Sequence, residues 1–223
     1  MPCAKLPTMT EISSIAAPKP RKRKGTREKL LRAALSLLAE DKGGFAGLSL
    51  REITRRIGVS PTAFYRHFPG MEELGLTLVH ESCETLREQL ERVSAESVPE
   101  AMVHNTVQVF LDFVREHQEI FILIAREQVG GSRKMRAAIS RETEITSIQL
   151  ARGWQLRDMP GVSIQSLERV VKMSIALAIG TLPQILEMPA DCDQEMAVLA
   201  DELEQQLNLL LSGVAAQELH KRE

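Results

Sequence analysis

The stretch "SLREITRRIGVSP", residues 49–61, restricts the fold of this chain more than any other. Ser49 followed by Glu52 is a capping box, in which each side chain satisfies a free backbone N–H of the other. Leu50, Ile53 and Ile57 then recur on one helical face, and Gly58 ends the helix. Val59 is an apolar anchor in the turn. Ser60 caps a second helix, with Pro61 at its first position, where the missing N–H costs nothing. Two short helices joined by a tight glycine turn have the spacing of a helix-turn-helix.

The second of these helices opens the run "SPTAFYRHF", which holds the only tyrosine of the chain and two of its six phenylalanines. Phe64 and Phe68 lie four residues apart, so they share a face and can pack against Ile53 and Ile57. Thr62, Ala63, Tyr65, Arg66 and His67 are left on the outer sides. A helix presented in this way fits the DNA major groove, with its N-terminal residues at base edges. Tyr65 and His67 can donate to phosphates, and Arg66 can meet either guanine or a phosphate. Taken alone, His67 is as readily a packed surface residue as a contact.

The rest of the chain predicts an all-α protein. Hydrophobic residues make up 43% and aromatics only 4%, so aliphatic side chains must build the core. They recur at three- and four-residue spacing, and alternating runs are scarce. Residues 1–24 lack a helical period and are rich in Pro, Lys and Arg, which predicts a disordered basic arm. Residues 25–70 are expected to form a three-helix DNA-binding domain. Residues 71–223 then form a larger ligand-binding and dimerisation bundle, for about nine helices in total. Gly75 falls inside the first long helix of that bundle, and close packing against the first helix of the chain is its expected reason. No stretch reads as a membrane span and no apolar leader opens the sequence. Cys3, Cys83 and Cys192 are odd in number and far apart, as expected for reduced thiols in a cytoplasmic protein without metal.

The net charge of −2 conceals a separation. Residues 1–70 hold 14 Lys and Arg against 5 Asp and Glu, whereas the remainder holds 14 against 25. An anionic partner for the first part alone is the implication. "PKPRKRK" in the arm supplies much of the excess, and a solvated tail would show the same run. Without residues 1–24 the N-terminal part still carries +4.

The segment "LSLREITRRIGVSPTAFYRHFPGMEEL" resembles the DNA-binding domain of TetR-family transcriptional regulators, over roughly residues 26–80. The run of Tyr65, His67 and Phe68 is its most telling element. The resemblance implies that the helix from Ser60 is the recognition helix, with phosphate contacts at Tyr65, His67 and the helix start at Ser49. Met71 departs from the pattern, because the family often has lysine there. The candidate DNA contacts are thus Arg27, Ser49, Arg51, Ser60, Pro61, Thr62, Ala63, Tyr65, Arg66 and His67. The stretches "ELGLT", "FILIAREQVGGS" and "RAAISRE" are further similar to FabR- and DesT-type regulators of unsaturated fatty-acid synthesis. That likeness implies a long-chain acyl-CoA or acyl carrier protein thioester as effector, with no cofactor.

The bundle contains no nucleophile–base constellation and no phosphate loop, so a catalytic role is not expected. Phe110, Phe113 and Phe121 supply apolar surface for a hydrophobic effector, although core packing is the commoner fate of each. Arg126 and Arg133, near the glycine pair at 130–131, would meet CoA phosphates under the acyl-CoA reading. Ile175, Ile179, Leu182, Ile185 and Leu186 form one stripe, and Leu199, Leu203, Leu207, Leu210 and Leu211 another. They are expected to build a homodimer through the last two helices, the alternative being that both pack on the chain's own core. A twofold dimer would read a palindromic operator. The expected function is a ligand-responsive repressor of lipid-metabolism genes. A repressor for another hydrophobic small molecule, or an architectural DNA-binding protein without effector, are the alternatives.

Overall fold

Both helix caps anticipated around the glycine turn form in the computed structural model, which describes residues 25–40, 44–189 and 192–220. The Ser49 hydroxyl accepts from the Glu52 N–H at 3.2 Å, and the Ser60 hydroxyl from the Ala63 N–H at 3.3 Å. Between them Gly58 adopts φ 70° and ψ 35°, a left-handed conformation that a side chain would strain. The Gly58 N–H then reaches the Arg55 carbonyl at 3.2 Å and the Val59 N–H the Thr54 carbonyl at 3.0 Å, which closes the helix end.

Nine α-helices and no strand occur among the described residues, so the chain is all-α as expected. The first three are α1 (Thr26–Glu40), α2 (Leu50–Ile57) and α3 (Pro61–Tyr65). The long α4 (Met71–Glu96) leads into α5 (Met102–Glu116), α6 (Gln118–Gly130) and α7 (Arg133–Arg157). The chain closes with α8 (Ile164–Glu187) and α9 (Asp193–His220). Ser132 and Ser163 cap α7 and α8 as Ser49 and Ser60 cap α2 and α3. The basic arm lies outside the described residues.

Packing joins the reading head to the bundle. α1 lies against both α2 and α6, while α4 packs on α5 and α7, α7 on α8, and α9 on α5 and α8. One buried cluster runs from Leu30, Ile53, Phe64 and Phe68 through Leu74 and Leu78 to Phe121 and Ile139. A second, with Leu90, Trp154, Leu167 and Leu211, fills the far end of the bundle. On the outside, Arg56 of α2 grips Glu40 of α1 with two bonds of 2.6 and 2.8 Å and also reaches Ser36 at 2.7 Å. The Arg56 guanidinium holds the Glu40 carboxyl below its ordinary range. The pair is exposed and adds little stability, but it fixes the crossing of the two helices.

Three expectations need correction. Gly75 is tight not against α1 but against Phe45 and Met135, whose nearest atoms would stand 2.5 Å from a Cβ there. The Ile and Leu stripes of α8 and α9 face inward: Leu182, Ile185, Leu199, Leu203, Leu207 and Leu211 are buried in the chain's own core. A leucine-rich face buries itself wherever its own bundle offers a partner. Finally, α8 is long and apolar enough to cross a membrane, with only 22% of its apolar window buried. Pro183 and its inward-facing residues belong to a packed helix, yet much of its apolar surface remains uncovered within one chain.

Adjacent residues in α3 offer a direct check of this packing. Phe64 is fully buried, whereas Tyr65 is 60% exposed. Phe64→Ala should cost about 3–5 kcal/mol in denaturant unfolding. Tyr65→Ala should stay within about 0.5 kcal/mol. Equal costs would contradict the packing described.

Candidate nucleic-acid interface and effector cavity

The recognition segment is shorter than its run of outward side chains. α3 ends at Tyr65, and Arg66 and His67 occupy the turn that follows. The turn still keeps helical bonds, since the Phe68 N–H reaches the Phe64 carbonyl at 3.0 Å. Phe64 and Phe68 lie beneath it with ring centroids 5.7 Å apart, and Tyr65 meets Phe64 edge-on at 5.7 Å. With these rings anchored, Pro61, Thr62, Tyr65, Arg66 and His67 are all exposed, and Ala63 is half-buried. Ser49, Arg51 and Ser60 are exposed as well. Helix caps, exposed donor and cationic side chains and a rigid aromatic base thus share one end of the molecule.

Arg27 behaves differently. Its guanidinium pairs with Glu81 of α4 at 2.6 Å and lies 5.5 Å from the centre of the Phe68 ring. It therefore ties α1 to α4 and covers the edge of the aromatic base. Arg51, Arg66 and His67 make no ion pair among the described residues, so their donors face solvent.

The bundle holds a partly open cavity of about 160 Å³. Phe110 and Phe121 line it, together with Leu86, Leu90, Ile124 and Trp154. Phe113 does not: it is buried nearby, packed on His117 at 4.3 Å and on Phe121 at 6.0 Å. Arg126 and Arg133 are also absent from the wall. The Arg126 side chain lies against Gly44, near the reading head, and Arg133 opens α7 in solvent.

Sequence reasoning missed the polar part of this cavity. Glu142 of α7 stands in the wall. Its Oε2 accepts from Arg87 of α4 at 3.1 Å, and its Oε1 lies 2.8 Å from Nδ1 of His80. Arg87 and Glu142 are both buried. Cys83, one turn from Arg87, has its thiol pKa pushed up to about 12, first by burial and then by the Glu142 charge. It remains a neutral S–H. A signal for the site was present: Glu142 falls in register with Ile139, Thr146, Leu150 and Trp154, a carboxylate inside an apolar stripe.

Residues 30–76 match the family described as "Bacterial regulatory proteins, tetR family". Residues 99–211 match "Tetracyclin repressor-like, C-terminal domain", which spans half of the chain. The chain belongs to the TetR family. Solved structures agree in fold. A tetR-family transcriptional regulator from Streptomyces coelicolor is 22% identical with TM-score 0.64, covering 86% of this chain and 82% of that one. A TerR/AcrR-family regulator from Aquifex aeolicus VF5 is 22% identical with TM-score 0.61, covering 83% and 99%. The fatty acid degradation regulator FadR from Bacillus halodurans is 16% identical with TM-score 0.65, covering 83% and 96%. Regulators of this family bind DNA operators and usually act as dimers with small-molecule effectors.

The different settings of the head's donors should be measurable. Tyr65→Phe removes one exposed phosphate donor and should weaken binding to specific and random duplexes alike. Arg66→Ala should cost more DNA affinity than Arg27→Ala, because Arg27 already serves Glu81 and Phe68. Fluorescence anisotropy with a specific and a scrambled duplex would decide both; a larger loss at Arg27 would reassign its role.

Proposed function

We propose that this chain is a homodimeric, cytoplasmic repressor whose affinity for a palindromic operator is set by an apolar effector in the bundle cavity. One observation carries the reading. The wall residues Val107, Phe121, Ile124, Ile139 and Leu203 belong to the same buried cluster as Phe64 and Phe68 under the reading head. Close-packed interiors transmit displacement, so a molecule that widens the cavity must shift side chains on which α1 and α6 rest. Tyr65, His67, Ser49 and their neighbours serve as the phosphate and base contacts. The test is an operator titration with and without effector: operator affinity must change when the cavity fills.

The pairing surface is the outward side of α8 and α9. Met173, Leu177, Val198 and Leu209 are exposed there, with Ala176, Gly180 and Gly213 among them. Small residues let a second copy approach closely, and four helices from two chains would cover this surface. The dimer also supports operator reading, since two heads address half-sites about 34–36 Å apart or a multiple of that. A Cβ at Gly180 or Gly213 would meet nothing within 4 Å. Gly180→Arg and Gly213→Arg should therefore leave the fold of one chain intact and shift sedimentation from dimer to monomer. Operator affinity should fall with it.

A long-chain acyl thioester is a second reading, supported by the FabR- and DesT-like sequence and by Phe110 and Phe121 in the wall. It would make this a regulator of lipid metabolism. It also demands that the helices part, because the cavity is close in size to one that holds benzene in an engineered protein, about 150 Å³. At a hundredfold excess over its Kd, palmitoyl-CoA should then stabilise the folded state by about 2.7 kcal/mol, with free CoA doing little. Thermal melts that do not respond to palmitoyl-CoA would remove this reading.

A further inference from the structure

Building on the reading that the bundle cavity holds the effector, we infer that the effector is a compact, uncharged hydrophobic molecule and that Glu142 excludes anions from the site. The space of about 160 Å³ suits a single substituted ring or a short branched chain. Its wall is almost wholly hydrocarbon, and the few polar groups offer little to a negative charge. Three of the four hydroxyls in the wall, those of Thr106, Thr143 and Ser174, donate to carbonyls of their own helices, at Met102, Ile139 and Val170. Their hydrogens are thereby committed.

Glu142 is the one charged side chain in the wall among the described residues, while its partner Arg87 stands behind it and outside the lining. The buried pair therefore turns its negative end toward the ligand. An anion entering here would lose its hydration and meet a like charge at short range. A neutral hydroxyl would instead donate to a lone pair that Arg87 and His80 leave open, since a carboxylate accepts about four hydrogen bonds.

Trp154 lines the cavity and is the only tryptophan of the chain, so its emission reports occupancy directly. The full-length protein would be titrated with toluene, 4-methylphenol, 4-methylbenzoate and palmitoyl-CoA at neutral pH. Toluene and 4-methylphenol should change the emission saturably, with 4-methylbenzoate weaker by at least about tenfold. The double variant Arg87→Met/Glu142→Gln removes both buried charges together and should narrow that gap. Equal binding of 4-methylbenzoate and 4-methylphenol by the wild-type protein would overturn the role of Glu142, whether or not the variant folds. Saturation by palmitoyl-CoA alone, or by none of the four, would overturn the ligand class. If the neutral aromatics bind and operator affinity stays unchanged, the ligand inference stands and the effector-controlled repressor falls.

Discussion

The burial of Phe64 and Phe68 beneath α1 and α2 is the contact on which the reading head depends. α3 has only five residues, too few to hold a helix by its own hydrogen bonds in water. Its direction is set by two rings with almost no exposure, by the Ser60 cap and by the left-handed turn at Gly58. Because the same rings join the cluster that continues into α4, α6 and α7, the outward side chains are positioned by the bundle as much as by the head.

Much of this organisation was legible in the sequence, and for local reasons. Capping serines, a glycine where φ must be positive and phenylalanines four residues apart act within a turn or two, so spacing alone reveals them. The same kind of signal stands at later helix starts: Ser132 and Ser163 cap α7 and α8 just after Gly130-Gly131 and Met159-Pro160-Gly161. What sequence could not supply was choice between equivalent partners. The leucines of α9 fit a second copy or the chain's own bundle equally well by pattern, and only the three-dimensional arrangement turns Leu199, Leu203 and Leu207 inward. Gly75 shows the same limit, for its close neighbours Phe45 and Met135 lie far off in sequence.

The cavity was half visible. Phe110 and Phe121 are recognisable as apolar surface near the middle of the bundle, but only their place beside a glycine turn points to Arg126 and Arg133. Proximity along the chain says little about which side of a helix a cation occupies. The Arg87–Glu142 pair joins residues 55 positions apart on two helices, and nothing in either segment names the other. A buried pair of this kind contributes little net stability, since desolvating both charges offsets their attraction. Its larger consequence is for the cavity beside it, where Glu142 is the one charged side chain in the wall among the described residues.

The continuity of the core across the head also bears on how such a protein could be rebuilt. Leu74, Leu78 and Val79 of α4 lie in the same cluster as Leu30, Ala34, Ile53 and Phe64. A graft that exchanged reading heads at residue 70 would cut through this cluster and leave each half to find new packing partners. A junction placed beyond Val79 would carry the first turns of α4 with the head, and only the contacts to Phe121, Ile139 and their neighbours in the bundle would then need matching. Modularity here follows the boundary of the core, and the start of a helix is a poor guide to it.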